Sequence, residues 1–191
     1  MCTFIFQSYK LKTAFYNRIV NSTAHRPVRD ELSGMVLENE SLLPELTGLA
    51  FDITDKNHYK ACWTLELVYE AKKEWIEKDI ATLCNTLSNY KHDGAIRSIS
   101  KICLFAVEKH HKKAFITPKQ IQQITEACFD WLIDPNGKVA AKAYAMRALY
   151  LLGKKQDWIY PELQQILQQD FAQHSAGYKA AAKDILKKIS G

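Results

Sequence analysis

The sequence predicts an all-α fold made of stacked helix pairs, and three observations lead there. Apolar residues recur at helical spacing along nearly the whole chain, with no sustained period-two alternation. Turn formers are scarce, with 7 glycines and 5 prolines in 191 residues. That is too few for the many turns of a β-sandwich or barrel. Long stretches also match one another at an offset of about 82 residues, which is the mark of a repeat architecture.

The helices follow in order from periodicity and punctuation. Their expected spans are 9–21, 26–38, 41–53, 58–72, 75–89, 93–112, 118–133, 138–152, 158–172 and 175–189. Ile76, Ile80, Leu83 and Leu87 recur at steps of four, three and four and so share one face. Ile121, Ile124, Cys128 and Trp131 do the same, as do Tyr178, Ala181, Ile185 and Ile189. Thr117-Pro118-Lys119-Gln120 reads as a capping box with proline at the first helical position. Ser41, Asp93 and Asp157 are expected N-caps. Asp134-Pro135-Asn136-Gly137 is a turn between helices. Gly153 is expected to end its helix in the left-handed conformation. Residues 1–8 are only loosely patterned, so 9–191 form the expected single domain.

The offset is carried by particular residues. Lys60-Ala61 matches Lys142-Ala143, Lys72-Lys73 matches Lys154-Lys155, and Arg97 and Lys101 match Lys179 and Lys183. Trp75-Ile76 matches Trp158-Ile159 after one inserted residue. Two units of about 41 residues make up the offset, which is the length of a helix pair. In each unit the second helix carries a basic residue near its start: Lys60, Arg97, Lys142 and Lys179, with Arg29 as a fifth candidate.

Leu43-Pro44-Glu45-Leu46 and Tyr160-Pro161-Glu162-Leu163 resemble the first-helix pattern of HEAT repeats. Asp52 and Asp170 resemble that family's acidic residue near the end of the same helix, and Ile96-Arg97 and Tyr178-Lys179 its basic second-helix position. Over residues 26–190 the chain thus resembles armadillo-type α-solenoids. The resemblance implies a right-handed α-α superhelix of about five helix pairs, with second helices on the concave side and a ladder between their cations and first-helix carboxylates such as Asp52, Asp134 or Asp170. More narrowly, the order Leu43-Pro44-Glu45-Leu46, Trp63-Thr64-Leu65-Glu66, Ala127-Cys128-Phe129-Asp130-Trp131-Leu132 and Tyr144 to Gly153 resembles short bacterial HEAT-like proteins labelled adenylosuccinate lyase. The chain has no Ser-Ser pair and no Met-Pro-x-Lys-x-Asn loop, so that lyase's catalytic residues have no positions here.

Chemical motifs are sparse. His-Glu-x-x-His, zinc-spaced Cys/His sets, phosphate-binding glycine loops and Gly-x-Ser-x-Gly are absent. No catalytic residue, metal site or cofactor is expected, and the leading reading is non-catalytic, with catalysis left open. His25, His58, His92 and His174 sit just before second helices, as turn residues or partial caps. His110 and His111 lie in a basic helix end, where charge complements the macrodipole. Five cysteines with no Cys-x-x-Cys pair point to free thiols and a cytoplasmic location, with no membrane association. Trp63, Trp75, Trp131 and Trp158 read as packing residues. Asp130-Trp131 and Asp157-Trp158 are the alternative, as aromatic-aspartate pairs for base recognition.

Charge is the strongest functional signal. The net charge is only +5, yet the first helices from 41–53 onward total −6 and the second helices from 58–72 onward, with 138–152 taken through Lys155, total +10. A groove of one sign focuses potential and favours anionic partners. The expected function is a binding scaffold whose concave face takes an acidic protein segment or other polyanion through Lys60, Arg97, Lys101, Lys142, Arg147, Lys179 and Lys183. The alternative is nucleic-acid binding of the kind found in HEAT-like alkylated-base glycosylases. A weaker alternative, resting on the lyase label, is an accessory role in purine metabolism.

Overall fold

The computed structural model describes residues 13–169 and 171–191, so the segment 1–8 lies outside the described residues. Among the described residues there is no strand. Ten α-helices follow one another: α1 Ala14–Val20, α2 Arg26–Glu38, α3 Leu43–Ala50, α4 His58–Ala71, α5 Ile76–Thr86, α6 Asp93–Lys112, α7 Pro118–Ile133, α8 Val139–Gly153, α9 Ile159–Gln168 and α10 Ala176–Ser190. The odd-numbered helices are the first members of their pairs and the even-numbered ones the second.

The second helices form a continuous row, α2 on α4, α4 on α6, α6 on α8 and α8 on α10. Between the first helices, α5 packs on α7, while α3, α7 and α9 each lie against α4, α8 and α10 of their own pairs. One apolar core runs from Phe15 in α1 to Ile185 in α10. Each pair therefore leaves an apolar face that only its neighbour covers. α8 sits at the crossing of α6, α7, α9 and α10, and its buried Ala141, Ala145 and Ala148 let those helices approach closely.

The first helices α3, α5 and α9 are shorter than periodicity suggested, whereas α7 fills its expected span 118–133. Residues 40–42, 73–75, 87–89 and 171–173 form single 3-10 turns instead. A tighter turn at a helix end re-aims the chain into the next element at little cost. Thr117 forms the expected capping box with Gln120, both hydrogen bonds being present. The other expected caps differ. Asn39 caps the 3-10 turn that contains Ser41. His92, through Nδ1 accepting from the Gly94 N–H at 3.0 Å, caps α6 in place of Asp93. Trp158 precedes α9 with no side-chain cap, so Asp157 has no such role.

Gly153 is the last residue of α8 but has no positive φ. Its role is close approach, since a Cβ there would overlap the ring edge of Tyr160. That ring stacks on Tyr150 at 5.8 Å and its hydroxyl donates to the Tyr150 carbonyl.

His110 also differs from expectation. It is buried, and its Nδ1 accepts from the backbone N–H groups of Phe115 and Ile116 at 3.0 and 2.9 Å. It folds the chain back after α6 as a neutral acceptor rather than as a charge on the macrodipole. Burial lowers its pKa, helped by Lys155 and His111. Cys62, Cys84, Cys103 and Cys128 are free and buried. Burial pushes the Cys84 and Cys128 thiols up to about 12. Cys2 lies outside the described residues.

Two outcomes are expected. Gly153→Ala should destabilise by about 1–3 kcal/mol through overpacking, read by urea unfolding, and the loss should shrink in a Tyr160→Ala background. An unchanged midpoint would show that the ring is free to move. Because the folded pKa of His110 lies below its unfolded value near 6.5, its contribution is complete above that pH and is lost as pH falls below it. Asn at 110 can still accept at the Nδ1 position, at a cost of about 1 kcal/mol at pH 7.5. His110→Asn should therefore lose less stability than the wild type between pH 7.5 and 5, and equal acid losses would refute the assignment.

Candidate binding surface

Lys60, Arg97, Lys142 and Lys179 lie three to five residues into α4, α6, α8 and α10. Their surroundings differ. Lys60 is half-buried, and its Nζ donates to the Val20 carbonyl at the end of α1. Arg97 and Lys101 are tied to carboxylates. Lys142 is buried. Lys179 is half-buried, and Arg147 and Lys183 are exposed. None of Lys142, Arg147, Lys179 and Lys183 makes an ion pair among the described residues.

The carboxylate that organises the row is Glu66, whose side chain is 2% exposed. It stands on α4 between buried Leu65 and Leu67. Its Oε2 accepts from Arg97 at 2.7 Å, from the Ser98 hydroxyl at 2.6 Å and from Arg29 at 3.3 Å. Its Oε1 lies 3.2 Å from Lys101, which also reaches Glu70 at 3.0 Å. Arg29 donates again to the Trp63 carbonyl, and burial lowers its pKa. One carboxylate thus joins α2, α4 and α6.

At Arg29, Arg97 and Lys101 the charge ladder runs along the second helices themselves, while Lys109 of α6 pairs with Glu77 of the first helix α5. Asp52 turns back on Thr54, and Asp134 accepts from the Asn136 N–H. Asp170 lies outside the described residues. Glu66 was not singled out from the sequence. A lone carboxylate inside Thr64-Leu65-Glu66-Leu67-Val68 was the available signal, because such a group stays in an apolar run only if it is paired.

The internal repeat then divides the row in two. Arg97 and Lys101 correspond to Lys179 and Lys183, whereas Glu66 and Glu70 correspond to Ala148 and Leu152. The second copy keeps the cations and lacks their partners. Lys101 adjoins the boundary, with its Nζ 6.0 Å from the Tyr144 ring of α8.

The tryptophans separate as well. Trp131 is buried and Trp75 partly so. Trp158, expected as a packing residue, is 55% exposed and stacks on Phe129 at 5.9 Å. It stands just before the first helix α9, and its stacking partner Phe129 is on the first helix α7. Of the histidines, His58 donates from Nδ1 to the Asp55 carbonyl at 2.8 Å and His174 stacks on Tyr178. Among the described residues no group of three or more His, Cys, Asp or Glu could hold a metal ion, and no helix is long and apolar enough to cross a membrane.

Removing the charge of Glu66 leaves three cations without their shared partner. Glu66→Gln, which keeps the volume, should cost about 3 kcal/mol in chemical denaturation. A loss below about 1 kcal/mol, the level of an exposed pair, would show that the node is not a stabilising centre.

No curated protein and no solved structure matches the chain. A family match does exist, and it spans residues 16–189, nearly the whole of the helix array described above. The paired helices, the continuous core and that match agree, and the chain belongs to the HEAT repeat domain family.

Proposed function

We propose that this protein is an interaction scaffold whose second-helix face, over α8 and α10, holds an acidic protein segment. The observation that carries this is the divergence of the two repeat copies. Arg97 and Lys101 are neutralised by Glu66 and Glu70, while Lys179 and Lys183 have Ala148 and Leu152 at the corresponding places. Structural pairing therefore accounts for the first set of cations and leaves the second available. Arg147 adds an exposed charge on α8, and the half-buried Tyr144 beside it offers aromatic surface. Long cationic side chains with no internal partner keep their rotamer freedom until a partner arrives, and they steer an anionic chain toward the groove.

A glycosylase-like reading finds less support. It needs an exposed aromatic beside the cations. The exposed Trp158 stacks on Phe129 in the first-helix layer, and Trp131 is buried.

The test uses a fluorescent oligoglutamate peptide and a duplex DNA of similar charge, read by anisotropy. The peptide should bind, with affinity falling as salt rises. Arg147→Glu with Lys183→Glu should weaken it about tenfold or more, a loss of about 1.4 kcal/mol per factor of ten. Arg147 and Lys183 are chosen because both are exposed and make no ion pair among the described residues, so helicity should be kept. Tighter binding of the duplex, with a steep salt slope, would overturn the reading in favour of nucleic acid. Unchanged peptide binding by the double variant would remove the face from the assignment.

A further inference from the structure

We propose that a groove beside Lys142, between the α7–α8 turn and the start of α10, binds a small aromatic anion, a carboxylate or a phosphate on a flat ring. The groove holds about 620 Å³ and is walled by Ile133, Val139 and Ile166, with Gln173, Ser175 and Lys142 as polar lining. It lies where a first helix turns into a second, at the edge of the array, and does not depend on the reading of the second-helix face.

Lys142 is the first observation. It is 6% exposed, yet no hydrogen bond or ion pair engages its ammonium among the described residues. Burial lowers its pKa, and Asp134 on the preceding turn opposes this only through its field. The side chain is packed away while its ammonium end meets the groove without a protein partner, and an anion entering the groove would supply one. The N-terminus of α10 faces the same space. Its Ser175 hydroxyl accepts from the Tyr178 N–H, and the first-turn amides of Ala176 and Gly177 have no intrahelical acceptor. They open a helix of fifteen residues, so the end carries positive potential suited to an anion.

The second observation is the rest of the lining and speaks to the ring. Beside Lys142 the groove is faced by His174 and Tyr178, whose rings stack with centroids 3.7 Å apart, and by the apolar side chains of Ile133, Val139 and Ile166. The lysine at the corresponding place one double repeat earlier, Lys60, reaches the Val20 carbonyl, whereas Lys142 lines the groove with no such acceptor. A flat ring carrying an anion would rest on the apolar and aromatic wall and give Lys142 its partner.

The probes are phenyl phosphate and benzoate, with benzyl alcohol as the neutral control and inorganic phosphate as the ring-free one. Titrations are followed by calorimetry and by the aromatic NMR signals of His174 and Tyr178. At least one aromatic anion should bind with a Kd of about 1 mM or tighter, the range open to so small a ligand, and both controls should bind more weakly. The stronger of the two anions identifies the head group. Lys142→Met removes a buried charge and should fold, and it should weaken binding about tenfold or more. Ile133→Glu places a carboxylate at the exposed rim and should weaken it as well. The Arg147→Glu and Lys183→Glu pair should leave it unchanged, which separates this site from the peptide surface. Binding that survives Lys142→Met, benzyl alcohol binding as well as the anions, or no binding of either anion at 10 mM (about ten times the expected Kd) would overturn the proposal.

Discussion

No helix pair in this chain can cover its own apolar surface, and everything else follows from that constraint. A pair has one side packed within itself and two sides that face its neighbours, so burial is complete only inside the array. The second helices meet this demand in an unbroken row from α2 to α10. α8 shows how the sequence serves it: alanines at the crossing points let four helices close around one, and Gly153 leaves room for the Tyr160 ring. The row of second helices brings side chains of one element within reach of the next every two helices, and that spacing makes a charge ladder possible.

Glu66 exploits this spacing. A carboxylate buried beside leucines is tolerable only with several donors, and it takes them from α2 and α6 on either side. The node therefore ties three helices together while quenching the charge that the sequence concentrates there. Farther along, the geometry is retained and the quenching is not. The same array holds a self-satisfied half and a half whose cations look outward, though no residue type distinguishes the two sets of cations.

The helices were legible because a single period governs the whole chain, and Ile76, Ile80, Leu83 and Leu87 are all buried as that period requires. The box at Thr117 was legible because all its parts are local. Helix starts governed by geometry were not: His92 supplants Asp93 because its ring reaches the Gly94 amide. The cation row was visible as composition and spacing, and Arg29 belongs to it. Which cations are paired could not be read, since the partners come from helices about 31 to 37 residues away. The burial of Lys142 and the exposure of Trp158 were not legible for one reason. Periodicity assigns a face, and exposure at the end of a helix depends on the neighbouring turn instead.

The unquenched half centres on α8 and α10, and this has a consequence for how the molecule responds to its surroundings. α10 packs on α8 and α9, and Lys179, Lys183, Lys187 and Lys188 lie along it, with Asp184 paired to Lys188. Like charges along one helix push against its docking. Added electrolyte screens that push, while around Glu66 it screens an attraction shielded by burial. Ionic strength should thus tighten the packing of α10 and leave the Glu66 node almost indifferent. Any polyanion that settles on α10 acts as a strong local electrolyte. Occupancy and order of that helix become one equilibrium, in which binding and docking reinforce each other.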